Sequence, residues 1–301
     1  MSLDYLAIDI GGTNLKYGIV NRAGTLIEKH TTPTNEESLD AFVAQLKGIA
    51  DEFKDRIKGV GISVPGKVDQ NDGGTIHGGG VLQFLDEVNL PRLLDLDIPV
   101  AVENDGKSAA LAELWLGTLN GVKDGAALVL GTGVGGGLII NGELYTGGHF
   151  QAGEVSLGSQ STSMTTESLV GRIGSAVMMV ERVATALDLP DKHDGLAVFE
   201  AINAHDPVAW PIFEAYAEEI GLIIHNIQAI MDLDRFVIGG GISAQPIVVE
   251  TINEAYMRIF NTHFAIRTTL TPPEILPSRF KNDANMYGAV YRLLLEVNQE
   301  V

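Results

Sequence analysis

The chain has 301 residues, 39 of them acidic and 20 basic, for a formal net charge of −19 at pH 7. That field disfavours nucleic acid and anionic membrane as partners, and no apolar run reaches the roughly 18 residues of a membrane span. Cysteine is absent, which removes disulfides and thiolate metal sites and points to a reducing cytoplasm. In chain order, Tyr5 to Ile10 reads as a buried strand broken by Gly11-Gly12-Thr13, Leu15 to Val20 resumes strand character, and Thr25 to Thr32 is a third strand. Leu39 to Phe53 carries apolar residues at helical spacing. Val60 to Val64 is a short strand stopped by Pro65-Gly66, and the glycine-rich Lys67 to Asn89 reads as loop. Pro99 to Val102 is a strand that runs into Glu103, Asn104 and Asp105, followed by a helix from about Lys107 to Leu116. A second unit opens near Gly121, with a strand at Ala126 to Leu130, a glycine run at Gly131 to Gly137, and a strand from Leu138 to Leu144 around an Asn141-Gly142 turn. Strand, glycine turn, strand therefore occurs near residue 9 and again near residue 131, both times with Gly-Thr. Helices follow at Ser168 to Leu187 and Val208 to Leu233, the latter with Asp206-Pro207 as N-cap and first residue. Arg235 to Ile238 is a strand ending in Gly239-Gly240-Gly241, and Asn285 to Val297 is an amphipathic helix. The boundary expected near Gly117 to Lys123 divides the chain into 1–118 and 119–301.

Three glycine clusters each follow an apolar strand: Gly11-Gly12, Gly131-Thr132-Gly133 and Gly239-Gly240-Gly241. Glycine lets backbone N–H groups approach a phosphate and supplies left-handed backbone. None of the three has the spacing of a Walker or dinucleotide-binding loop, so the expected phosphate cradle is of another kind. Asp9 precedes the first cluster, where a carboxylate is placed to hold Mg²⁺ through water. Glu103, Asn104 and Asp105 pose a sharper question. Desolvating charge at the mouth of a buried strand is costly, and a helix N-cap needs only one of the three.

Taken in order, DIGGTNLKYGIV at Asp9 to Val20, GISVPGKVD at Gly61 to Asp69, VENDGKSAALAE at Val102 to Glu113, LGTGVGGGLIINGELYTG at Leu130 to Gly147, FVIGGGIS at Phe236 to Ser243 and FKNDANMYGA at Phe280 to Ala289 resemble the ROK-family sugar kinases, within the superfamily of actin and hexokinase. The resemblance implies an α/β, two-domain actin-like ATPase (ribonuclease H-like) fold with an interdomain active-site cleft, and a C-terminal helix over 285–298 packing back on the N-terminal domain. It implies ATP with Mg²⁺. Phosphate contacts would come from Gly11, Gly12, Thr13 and Lys16 and from Gly131, Thr132 and Gly133, with the nucleotide base beside Gly240 and Gly241. Asp105 would be the general base for a hexose 6-hydroxyl. Asn104, Glu154 and Glu167 would contact the sugar, with Gly80 lining it. A homodimer is the family expectation. The physics fits: phosphoryl transfer to an alcohol needs an in-line hydroxyl, charge stabilisation and a carboxylate within reach of the proton. Glu103 is read as a salt-bridged or solvated neighbour, and Glu167 as the opening of a helix.

The chain departs from the family pattern after Glu154. Many members continue with Gly-His and a Cys-rich zinc loop, whereas here Ser156-Leu157 is followed by GSQSTSMTT, and the seven histidines are scattered. A closed zinc site needs four ligands, commonly Cys or His. No zinc is therefore expected, and the loop is expected to be ordered by Ser and Thr hydrogen bonds and by packing of Leu157 and Met164. Phe150 stands where many members have Gly, which suits a substituted or glycosidic sugar. The rival class is a sugar-sensing regulator without a DNA-binding domain. The first strand opens at about Tyr5, leaving no room for a winged helix, and Asp9 and Asp105 are both present. The sugar itself stays open among glucose, fructose, mannose, N-acetylmannosamine and β-glucosides.

Overall fold

The computed structural model describes residues 3–299, in two compact units. The first comprises the chain up to Asn120, Leu144–Gly153, and the chain from Asp283 on. The second comprises Gly121–Glu143 and Glu154–Asn282. The change of unit falls between Asn120 and Gly121, and both Leu144–Gly153 and the C-terminal helix group with the first unit.

The first unit is built on a five-stranded sheet in the order Leu26–Pro33, Asn14–Val20, Asp4–Ile10, Ile57–Val64, Val100–Asn104. The first three strands are antiparallel, and the last two run parallel to Asp4–Ile10. Asp4–Ile10 and Ile57–Val64 are almost wholly buried, as strands covered on both faces must be. The helix Leu39–Phe53 has its expected ends; Ser38 caps it, and Phe42, Leu46, Ile49 and Phe53 face the core. The helix Ala284–Gln299 contributes Met286, Val290, Leu293 and Leu294 to a cluster with Tyr5, Ala7, Val20 and Ala101. Two glycines permit its approach. A Cβ on Gly61 would lie 2.3 Å from the Ala289 carbonyl oxygen, and one on Gly288 would lie 1.7 Å from that of Ser108. Ser108 belongs to the helix Asp105–Leu116, whose residues Gly106 to Glu113 are all buried.

The segment read as loop, Lys67 to Asn89, instead contains a three-stranded antiparallel sheet of Lys67–Asp69, Thr75–His77 and Val88–Asn89. Strands of two or three residues are too short to show alternation. This small sheet is tied by the Asn89 side-chain amide, which donates to the Asp72 and Gly73 carbonyls.

The second unit repeats the pattern. Its sheet runs Val134–Ile140, Gly125–Leu130, Arg235–Gly239, Glu274–Pro277, with a short edge strand opening at Glu143. Again an antiparallel hairpin is joined by two strands parallel to its first member. The strand–glycine turn–strand repeat in the sequence is the trace of this shared topology. The second hairpin strand opens inside the glycine run, and the Asn141-Gly142 turn has φ of 56° and 80°, as a two-residue hairpin loop requires.

Two helical expectations change. Ser168 to Leu187 breaks into Val170–Ile173 and Ala176–Ala186. A Cβ on Gly174, between them, would lie 2.5 Å from Val134 Cγ2, and Ser175 caps the second piece through the Met178 N–H. The long helix is Ala209–Met231; Asp206 accepts from the Val208 and Ala209 N–H groups, which leaves Pro207 outside the helix. Gly195–Asn203 and Pro246–Thr262 are helices that the sequence reading passed over. Among the described residues no helix is long and apolar enough to cross a membrane.

Candidate active site

Asp9 is the next-to-last residue of the central strand of the first unit and is 7% exposed. It pairs in register with Lys16, whose Nζ lies 3.4 Å from Oδ2, while Asn285 Nδ2 donates to Oδ1 at 3.0 Å. The turn that follows is pinned: the Gly11 N–H donates to Asn14 O, the Thr34 hydroxyl donates to Gly11 O, and the Thr34 N–H donates to Thr13 O. Neither Gly11 nor Gly12 has positive φ, so the expected left-handed backbone is not their reason. Space is: a Cβ would lie 2.8 Å from Asn14 O at Gly11 and 2.4 Å from Val81 Cγ2 at Gly12. Thr13 is exposed at the tip. A nearly buried carboxylate beside this turn, itself in contact with a lysine and an amide, fits a cation that keeps most of its water shell and shares phosphate oxygens.

The triplet at the end of Val100–Asn104 divides its labour. Glu103 turns inward and is 1% exposed. Its Oε1 accepts the Asn104 backbone N–H at 2.9 Å, and its Oε2 lies 3.4 Å from Gln70 Nε2 and 3.9 Å from Arg292 Nε. Burial pushes its carboxyl above the usual range, against the pull of Arg292, the Asn104 N–H and Lys107; Glu296 adds to the rise. It is a buried, salt-bridged group, never a solvated one. Asn104 is the N-cap: Oδ1 accepts from the Lys107 N–H at 3.1 Å, and Nδ2 donates to Gly66 O at 2.9 Å and to Asp105 Oδ1 at 3.0 Å. Asp105 is the first helical residue, and its Oδ1 also accepts the Gly106 N–H at 2.7 Å. A carboxylate there is further favoured by the helix dipole.

Glu103 yields a stability prediction. Glu103→Ala leaves the buried Asn104 N–H without its acceptor and should cost about 1–3 kcal/mol, whereas Glu103→Gln keeps an acceptor oxygen. With its folded pKa raised, the ionised carboxyl contributes nothing below the pH at which an unfolded glutamate ionises. It destabilises progressively as pH rises through the folded value, and the cost is constant above that. Glutamine carries no such cost, so the stability of Glu103→Gln relative to wild type should climb as pH rises from the range where an unfolded glutamate ionises to the raised folded value. Urea midpoints across that range measure it; a flat difference would show that burial does not control this group.

In the second unit the glycine turn closes on itself, the Gly131 N–H donating to Gly133 O at 3.0 Å. The Gly131 carbonyl then accepts from the N–H groups of Ala176 and Val177, which fixes the turn against a helix start. A Cβ on Gly131 would meet nothing within 4 Å, and Thr132 is exposed at the tip. Gly133 is crowded by Ser156, whose hydroxyl accepts from the Val134 N–H and donates to its carbonyl. Gly240 alone among the cluster residues has left-handed backbone, φ 94°, with its missing Cβ 2.1 Å from Leu130 O. A cavity of about 220 Å³ opens here, lined by Gly131, Val177, Val180, His193, Gly241 and Ile242. Its walls are mostly apolar, and His193 pairs with Glu181 at 3.5 Å.

The remaining expected residues fall on both units. Gly80, with φ 64°, is exposed in the first. Glu154 and Glu167 are in the second. Glu154 precedes the turn Val155–Leu157 and borders a separate cavity of about 250 Å³. Glu167 opens no α-helix; it is exposed in the single 3₁₀ turn Thr166–Ser168. Phe150 has φ 57°, a strained value for a bulky side chain. The loop after Leu157 is held by hydroxyls as expected: Ser159 Oγ reaches Ser161 O and Ser168 Oγ, and Ser161 Oγ accepts from the Ser163 N–H. Leu157 and Met164 do not order it, being 68% and 65% exposed. Among the described residues no group of three or more His, Asp or Glu side chains is arranged to hold a metal ion. Asn285 and His193 were missed by sequence reasoning. Asn285 lies in the FKNDANMYGA stretch, but nothing there points to Asp9.

The family model described as ROK family matches residues 5–295. A beta-glucoside kinase of Listeria monocytogenes is 33% identical, over 97% of this chain and 98% of its own. A glucokinase of Halalkalibacterium halodurans is 30% identical over 79% of this chain and 80% of its own. Among solved structures, a ROK family protein from Streptococcus pneumoniae in complex with sucrose superposes with a TM-score of 0.86 at 27% identity, covering 99% of this chain and all of that one.

Proposed function

The chain belongs to the ROK family, with the actin-like ATPase fold, and on that premise we propose that it transfers the γ-phosphoryl group of ATP to the 6-hydroxyl of a hexose or hexose glycoside. The observation that carries the reading is Asp105. Its carboxylate is fixed through Oδ1 by Asn104 and the Gly106 N–H at the start of a helix, as a general base must be. It accepts the hydroxyl proton as the sugar oxygen bonds to phosphorus and the bond to ADP breaks. Gly11, Gly12, Thr13 and Lys16, with Gly131, Thr132 and Gly133, hold the phosphates, and the cavity beside Gly240 and Gly241 takes the adenine. Mg²⁺ would neutralise charge on the phosphate oxygens, with Asp9 holding it through water. Asn104, Gly80, Glu154 and Glu167 read the sugar hydroxyls. The names of the relatives support both a free hexose and a β-glucoside as acceptor. A homodimer in the cytoplasm completes the reading, supported by the absence of cysteine and by the family.

Coupled ADP release with Mg²⁺ and ATP across free hexoses, N-acetylmannosamine, cellobiose and aryl β-glucosides tests it. At least one sugar should raise the rate well above the sugar-free rate; ATP binding by calorimetry with no such rise would overturn the kinase reading. Zinc should be far below stoichiometric in untagged protein, and a zinc chelator with excess Mg²⁺ should leave turnover intact. A tightly held zinc lost together with activity would contradict this.

A further inference from the structure

We propose that Val81 keeps water away from the transferring phosphoryl group, so that a sugar hydroxyl and not a water molecule attacks it. The proposal rests on the kinase reading and adds what would make that reaction selective for its acceptor. Val81 is 79% exposed, yet its Cγ2 is the atom that a Cβ on Gly12 would meet, at 2.4 Å. The valine therefore lies directly on the glycine turn assigned to the phosphates. Its loop fixes it there. The Gly78 N–H donates to Asp86 Oδ1 at 2.8 Å and the Leu82 N–H to Gly79 O at 3.1 Å, and Leu82 and Leu85 are buried in the core of the first unit. Gly78 and Gly80, with φ of 70° and 64°, supply the left-handed backbone of the turn.

The surroundings of Val81, all in the first unit, tie it to the reacting groups. Asp4–Ile10, Ile57–Val64 and Val100–Asn104 are adjacent parallel strands. The Gly11-Gly12 turn, Pro65-Gly66 and Asn104-Asp105 thus open side by side at their C-terminal ends, where ligands of such sheets bind. A Cβ on Gly80 would lie 3.5 Å from Pro65 Cβ, and Asn104 Nδ2 donates to Gly66 O at 2.9 Å. One run of contacts therefore joins the Val81 loop to the neighbour of Asp105. Among the described residues the Gly12 and Thr13 N–H groups donate to no protein acceptor, which leaves them for phosphate oxygens. The chemistry then requires a shield, because Asp105 can take a proton from water as well as from a sugar. In that side reaction the water oxygen bonds to the γ-phosphorus, the bond from phosphorus to the ADP oxygen breaks, and the water proton passes to Asp105, giving ADP and inorganic phosphate. A water held in place needs two or more polar partners, and the valine methyl groups offer none. Closing water out of the reacting centre suppresses such hydrolysis.

The test measures inorganic phosphate and sugar phosphate formed from ATP with Mg²⁺, with and without a sugar that wild type accepts, in wild type, Val81→Ala, Val81→Thr and Ile230→Ala. Val81→Ala opens the space over Gly12, and Val81→Thr keeps the shape of the side chain while adding a hydroxyl that can hold water. The position is exposed, so both should fold. Val81→Ala should raise sugar-independent phosphate release about tenfold, equivalent to about 1.4 kcal/mol of barrier, and Val81→Thr should raise it in the same direction. With sugar present, both should raise the ratio of inorganic phosphate to sugar phosphate. Ile230→Ala, at an equally exposed apolar position of the second unit, should leave that ratio alone; an equal rise there would show that the hydrolysis has nothing to do with Val81. Unchanged phosphate release in both Val81 variants, with sugar phosphate still formed, overturns the proposal and leaves the kinase reading intact. A changed sugar KM without added hydrolysis would make Val81 a sugar contact, and altered sedimentation without added hydrolysis would make it part of an interface between copies; either overturns the shield. If no sugar is phosphorylated the kinase reading falls, and Val81 is then judged by ATP hydrolysis alone: raised in the variants the shield stands, unchanged it falls.

Discussion

Asp105→Asn is expected to lower kcat by about 10²–10⁴-fold, the usual worth of a general base, with sugar Kd nearly unchanged. The substitution is selective because of what Oδ1 does. It accepts from Asn104 Nδ2 at 3.0 Å and from the Gly106 N–H at 2.7 Å, and an asparagine oxygen can accept both. The helix start therefore survives, and so does the cap that Asn104 makes to Lys107. The lost element is a group able to take a proton from the sugar hydroxyl as its oxygen attacks phosphorus. A fall in kcat and kcat/KM by the same factor, with binding preserved, is the pattern of an interaction made only in the transition state. Turnover near wild type, in protein of unchanged stability, would make Asp105 a helix-start carboxylate and nothing more.

Residue type singled out the opening hairpin and the helix Leu39–Phe53, because periodicity and a serine cap are local signals. The helix Pro246–Thr262 was equally legible: Val248, Ile252, Ala255, Tyr256 and Phe260 recur at helical spacing behind a proline, and the following Gly-free stretch was passed over. Other features were not legible at all. Strands of two or three residues between Lys67 and Asn89 have no period. The grouping of Leu144–Gly153 with the first unit has no local signal either, and the return of the C-terminal helix was expected only from the family resemblance. The candidate site shows the same division. Glu103, Asn104 and Asp105 stand out by chemistry alone, but which of them faces inward depends on Arg292 and Gln70. Asp9 stands out beside its glycines, yet the amide that holds it comes from Asn285, 276 residues away. The glycines were recognisable as a cluster, while their reason, close approach at Gly11 and Gly12 and left-handed backbone at Gly240, is a property of the folded backbone.

Gly288→Ala is expected to lower stability by about 3 kcal/mol, the upper end of typical overpacking, and Gly48→Ala to raise it by roughly 0.5–1 kcal/mol. Both glycines lie within helices, Ala284–Gln299 and Leu39–Phe53, and alanine favours helix at either place. Their surroundings give the opposite signs. An added Cβ at Gly48 meets nothing within 4 Å, whereas at Gly288 it would lie 1.7 Å from the Ser108 carbonyl oxygen. That oxygen is backbone in a buried helix and cannot swing aside, so the C-terminal helix must move. The same helix carries Asn285, which holds Asp9, and Arg292, which faces Glu103. Its displacement should thus lower kcat as well as stability, while Gly48→Ala, remote from those contacts, should leave kcat alone. Denaturant midpoints and turnover of the two variants, measured side by side, decide it. If Gly288→Ala is as stable as Gly48→Ala, the close helix packing is not what places a glycine at position 288. If it is destabilised with kcat intact, the C-terminal helix supports the fold without positioning the site.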